Sequence, residues 1–172
     1  GGRRCGKTSL LLQIEKDLQA KADLLTPFHP LSRFLDIQTL GHLTPNILFE
    51  TMYTLIVRES EAKPWNAGPP GREYQTFLQH MDEAKLVLDG QYGSHWLVIL
   101  LIDELDAALK KLPDDHFFQN LRNLLMLSPI HRHFRLVATG VREMSKLILS
   151  GSSPLNNLLH EYLRIFSSEE IE

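Results

Sequence analysis

An α/β fold with a mainly parallel sheet is the expectation for this chain of 172 residues, and three observations carry it. Short apolar segments alternate with helical ones, the order in which strands and crossover helices build parallel sheets. One segment, Trp96-Leu97-Val98-Ile99-Leu100-Leu101-Ile102, is a continuous apolar run, which suits a parallel strand covered on both faces. The chain also opens on a glycine-bounded loop that runs straight into a helical pattern. Right-handed crossovers would then place helices on both sides of the sheet.

The composition narrows the class. A chain 43% hydrophobic and 23% charged fits one ordinary globular domain with a sizeable core. Lys+Arg 18 against Asp+Glu 21 leaves a net charge of −3, which excludes the broad basic surface expected of a nucleic-acid binder. A local basic patch is not excluded. No apolar run approaches the ~18 residues of a membrane span, so no membrane partner is expected. The single Cys5 excludes a disulfide framework and agrees with a reducing compartment, so the expected location is the cytoplasm.

The first element is the loop. Gly1-Gly2-Arg3-Arg4-Cys5-Gly6-Lys7-Thr8 reads G-x-x-x-x-G-K-T, the phosphate-binding (Walker A) pattern. Gly1 and Gly6 admit backbone conformations that a side chain would block. The loop, with Gly2, Arg3, Arg4 and Cys5 between them, can then wrap a phosphate with its N–H groups pointing inward. Lys7 brings a point charge to the β- and γ-phosphates, and the Thr8 hydroxyl can ligate Mg²⁺. Ser9 opens a helical stretch to Ala20, with Leu10, Leu11, Ile14 and Leu18 at helical spacing. Its N-terminus adds partial positive charge toward the phosphates.

Phe34–Ile37 reads as a second strand after a proline-interrupted connection. Thr44 is an N-cap with Pro45 at the first helical position, opening a helix to about Arg58. Residues from about 60 to 72, with Pro64, Gly68, Pro69, Pro70 and Gly71, form a surface loop within the domain. Glu73–Leu88 reads as a helix with Tyr74, Phe77, Leu78, Met81 and Leu88 as its apolar positions.

The apolar run at Trp96–Ile102 ends in Asp103-Glu104-Leu105-Asp106, and here the pattern turns to chemistry. Open parallel sheets gather ligands at the carboxyl ends of their strands. Asp103 is placed to hold Mg²⁺, and Glu104 to orient and deprotonate an attacking water. Phe134–Thr139 is a further strand. Thr139 at its end is a candidate catalytic residue with Lys7 and Glu104, its hydroxyl offered to the γ-phosphate or the lytic water. Arg142, opening the next helix, is placed to reach the γ-phosphate as a charge sensor. His131-Arg132-His133 reads as a polar turn, because no Cys or acidic partner has ligand spacing. Tyr162–Phe166 reads as a last strand, and Ser167 with Glu170 as a capping box.

Together the Walker A loop, the apolar strand ending Asp103-Glu104-Leu105-Asp106 (Walker B) and Leu136-Val137-Ala138-Thr139-Gly140 resemble the core of AAA-like P-loop ATPases. The resemblance is to the branch holding the STAND signalling, archaeal-type and origin-recognition-like ATPases, and it covers nearly the whole chain. It implies a three-layer αβα sandwich with strand order 5-1-4-3-2, and ATP and Mg²⁺ as cofactors. It also implies Lys7 and Thr8 as phosphate and metal ligands, Asp103 as a metal ligand, Glu104 as the water activator and Thr139 as the sensor. The chain departs from that pattern in starting on the loop. The expectation is a core truncated at both ends, lacking its first strand, whose partners are flanking domains of a longer polypeptide and further copies of itself.

Two functions follow, with a third behind them. The first is an ATPase that splits the β–γ bond to drive rearrangement of attached domains. The second is a nucleotide-dependent switch or scaffold that hydrolyses little. The third, a P-loop kinase, is opposed by the Asp103-Glu104 pair, because a kinase avoids activating water beside the γ-phosphate.

Overall fold

A computed structural model of the chain describes residues 6–140 and Leu159. The expected elements at Tyr162–Phe166 and Ser167–Glu170 lie outside the described residues, as do the site candidates Gly1, Gly2, Arg3, Arg4, Cys5 and Arg142.

Helix α1 spans Lys7–Ala20, starting earlier than the apolar pattern suggests. Gly6 caps it at φ 74°, a left-handed conformation natural to glycine, and its carbonyl accepts from the Leu10 N–H at 2.8 Å to close the first turn. Strand β1 runs His29–Asp36, where only Phe34–Ile37 was expected. Pro30 does not interrupt it. The His29 N–H bonds toward β2, to the His95 carbonyl at 3.0 Å, so alternation turns the next position, with its missing N–H, away from the neighbouring strand. Ile37 falls instead in a 3₁₀ turn, Ile37–Thr39, where the Asp36 carboxylate accepts from the Gln38 N–H at 2.8 Å.

Helix α2, Pro45–Val57, has the expected start: the Thr44 hydroxyl oxygen accepts from the Ile47 N–H at 3.2 Å, with Pro45 in the first turn. Helix α3, Glu73–Tyr92, continues a turn past Leu88 until Gly93 ends it at φ 78°. Strand β2 is Trp96–Asp103 and strand β3 is Phe134–Ala138. Between them lie α4, Asp106–Lys111, and α5, His116–Met126, neither with a counterpart in the sequence reading. The signal for α5 was present: Phe117, Phe118, Leu121 and Leu124 recur at helical spacing, and all are buried.

The described part is mixed α/β, with five α-helices and an open, all-parallel sheet in the order β1-β2-β3. The register runs from His29 opposite Trp96 to Asp36 opposite Asp103, and from Val98 opposite Phe134 to Ile102 opposite Ala138. Strand β2 is covered on both faces. Val98, Leu100 and Ile102 join the core that α2, α3 and α5 build, with Leu48, Phe49, Phe77 and Phe117 at its centre. Ile99 and Leu101 pack against Leu11, Ile14 and Leu18 of α1 on the other side. Each such side chain, buried fully, contributes about 1.5–3 kcal/mol, which explains why this strand has no polar alternation. Among the described residues no helix is long and apolar enough to cross a membrane.

Candidate functional site at the carboxyl ends of the strands

Parallel register brings the ends of β2 and β3 to one edge, and the N-terminus of α1 meets them there. Asp103, the last residue of β2, is 2% exposed and accepts two hydroxyl hydrogen bonds. Thr8 Oγ1 from α1 donates to Asp103 Oδ2, and Thr139 Oγ1 from just beyond β3 donates to Oδ1. Lys7 Nζ donates to the Gly140 carbonyl at 3.1 Å and stands 3.4 Å from Glu104 Oε1. Both partners of that ion pair are largely shielded, with side-chain exposures of 12% and 19%.

Glu104 carries an unusual backbone. Its φ of 55° is the only positive value among the described non-glycine residues. A conformation of this kind costs on the order of 1–3 kcal/mol and persists only where its surroundings hold it. Here they do. The Glu104 N–H lies 3.1 Å from Asp103 Oδ1 and 3.2 Å from Thr139 Oγ1, and the next N–H, of Leu105, donates to the Thr139 carbonyl at 2.9 Å. The turn separates the two adjacent carboxylates: Asp103 engages Thr8 and Thr139, whereas Glu104 engages Lys7.

Of the sequence candidates, Lys7, Thr8, Asp103, Glu104 and Thr139 therefore form one hydrogen-bonded and ion-paired cluster. Gly6 adjoins it as the cap of α1, and Ser9 sits exposed in the first turn. The Gly140 carbonyl is a member the sequence reading did not assign. A backbone acceptor for a lysine 133 positions away leaves no mark in a sequence.

The cluster counts one cation against two carboxylates, so it favours additional positive charge. Each hydroxyl that donates its proton to Asp103 keeps lone pairs, and hard oxygen donors of this kind suit Mg²⁺. Among the described residues no group of three His, Cys, Asp or Glu side chains could hold a metal ion.

No protein-family model matches the chain, and no curated protein does.

Proposed function

We propose that the chain is a P-loop nucleotide-binding module that hydrolyses Mg-ATP at the β–γ bond and passes the resulting change to attached domains. The observation that carries this reading is the convergence of Lys7 and Thr8 with Asp103, Glu104 and Thr139 at one strand-end cluster. The order β1-β2-β3 supports it as well, because it matches three consecutive positions of the order 5-1-4-3-2. Thr8 Oγ1 and the Asp103 carboxylate would hold Mg²⁺, which supplies charge neutralisation between the phosphates when bound.

The remaining work falls to the chain's own groups. The α1 N-terminus, capped by Gly6, attracts phosphate oxygens. Lys7 exchanges Glu104 and the Gly140 carbonyl for phosphate, and that exchange frees the Glu104 carboxylate to take a proton from water.

The same ion pair favours a second reading, a switch that binds nucleotide and hydrolyses little. If Lys7 keeps Glu104 occupied, water has no base. Calorimetric titration with ATP and ADP, beside single-turnover hydrolysis, tests both readings. Binding with turnover supports the ATPase, and binding without turnover supports the switch. Absence of nucleotide binding by the folded protein overturns both.

A further inference from the structure

We infer that Thr139 is a positioning residue for Asp103 and the Glu104 turn, and that it does not contact the γ-phosphate. The inference rests on the nucleotide-binding reading and assigns one member of that site a different task.

A threonine hydroxyl has one hydrogen to donate and two lone pairs. Thr139 donates that hydrogen to Asp103 Oδ1, and one lone pair faces the Glu104 N–H at 3.2 Å. A γ-phosphate presents only acceptor oxygens. Toward it this hydroxyl would turn a lone pair, which repels. Reaching the phosphate would require Thr139 to abandon a carboxylate that is 2% exposed, leaving Oδ1 with the Glu104 N–H alone.

The backbone of the same residue works on the same turn. The Thr139 N–H donates to the Ile102 carbonyl and its carbonyl accepts from the Leu105 N–H, both at 2.9 Å. Residue 139 therefore brackets Asp103 and Glu104 from both sides, and its hydroxyl ties the two together. With Thr8 on Oδ2 and Thr139 on Oδ1, the carboxylate plane is fixed by two hydroxyls from two different elements. Rotation of Asp103 about χ2 would break both.

Thr139→Val keeps the shape and both backbone hydrogen bonds while removing the hydroxyl. ATP and ADP affinity should be measured by calorimetry across a series of free Mg²⁺ concentrations, including excess EDTA. Loss of a group that orients a metal ligand commonly costs 10–100-fold in metal affinity. The Mg²⁺ concentration for half-maximal tightening should therefore rise by about 10–100-fold, equally for ATP and ADP, with affinity in EDTA unchanged. Thr139→Ser should restore the wild-type Mg²⁺ dependence. In the Asp103→Asn background Thr139→Val should add nothing, because the residue acts through that carboxylate. In the metal-free protein, the Glu104 amide should exchange with solvent faster once the hydroxyl is gone. Thr139→Ala carries the same expectations should the valine variant not fold.

Weakened ATP binding with unchanged ADP binding would identify a γ-phosphate contact and overturn the inference. An unchanged Mg²⁺ dependence would overturn it too, while leaving the nucleotide-binding reading intact. A folded wild-type protein that binds neither nucleotide would overturn that reading, and this inference with it.

Discussion

At the carboxyl ends of β2 and β3 the side chains are hydroxyls, carboxylates and an amine, whereas the amino ends of the same strands are built from aromatic rings. Trp96, at the start of β2, is 1% exposed, and the His133 ring stacks on it at 3.8 Å and 15°. Phe134 meets Trp96 edge-on at 6.4 Å, and His29 stacks on Tyr92 at 4.7 Å. The polar atoms of this end are spent internally. Trp96 Nε1 donates to Asp89 Oδ1 at 2.8 Å, Lys85 pairs with Asp89, and His133 Nδ1 lies 2.8 Å from the Trp96 carbonyl. A carbonyl only accepts, so that nitrogen carries the proton.

The carboxyl end has the opposite economy. It concentrates two acids and a lysine, keeps lone pairs on Thr8 and Asp103, and maintains Glu104 at φ 55°. One end stabilises the sheet, and the other holds a strained turn and one more carboxylate than cation beside a helix N-terminus, as functional sites often do. Asp103 and Trp96 are joined by seven strand steps, about 23 Å at ~3.3 Å each. Substitutions at the two ends should therefore separate cleanly, one set changing ligand chemistry and the other changing stability.

The largest effect is expected from Lys7→Ala, which should abolish nucleotide binding and, by leaving the largely shielded Glu104 carboxylate without its cation, cost on the order of 1–3 kcal/mol of stability. Calorimetry beside thermal melts checks this. Unchanged affinity in a folded protein would remove the phosphate-loop reading. Glu104→Gln should preserve Mg-ATP binding and lower single-turnover hydrolysis by about 10²–10⁴-fold, the usual worth of a general base. A robust rate that survives the change would assign the water to another activator.

At the other end, Trp96→Ala should cost about 3–5 kcal/mol, as large-to-small changes of buried aromatics do, and lower the melting temperature accordingly. Nucleotide affinity of the protein still folded should not change. An affinity loss there would mean that the two ends are coupled through β2.

The smallest effect concerns Asp89. Burial alone would raise its pKa, but hydrogen bonds from Lys85 and Trp96, with the charge of Lys85, outweigh burial and hold the carboxyl below its ordinary value. A depressed folded-state pKa contributes stability above the unfolded value, near pH 4, and that stability is lost as pH falls through the folded value. Asp89→Asn keeps an acceptor for Trp96 but loses the charge pair. It should cost about 0.5 kcal/mol at neutral pH and flatten the stability curve below pH 4, read from denaturant midpoints against pH. A curve as steep as wild type would place the acid sensitivity elsewhere.

Much of this arrangement was legible in local pattern. Strand β2 announced itself because a strand buried on both faces needs no polar alternation, and α2 because Thr44-Pro45 satisfies a helix start within four residues. The acidic end of β2 and the glycine-capped start of α1 at Lys7 are likewise local features of the sequence. The apolar spacing of α5, with Phe117, Phe118, Leu121 and Leu124 buried, is equally local. Strand β1 extends further than local pattern suggests, since a proline near its start argues against a strand and only the pairing shows which way each N–H points.

Residues alone determined which chemistry this protein carries: a lysine and a threonine at a glycine-capped helix start, adjacent acids after an apolar strand, and a threonine closing another. They did so because motif spacing and burial pattern are local. Only the tertiary structure decided how those groups spend their protons. The pairing of Val98 with Phe134 and of Ile102 with Ala138 sets Thr139 beside Asp103, and packing of α1 on Ile99 and Leu101 sets Lys7 against Glu104 and Gly140. The same holds for Arg33, a strand residue 3% exposed whose guanidinium bonds the Ile56 carbonyl near the end of α2 at 3.4 Å and pairs with Glu59 at 3.5 Å. These partners lie tens of residues apart or more, and no window along the chain contains both members of any pair.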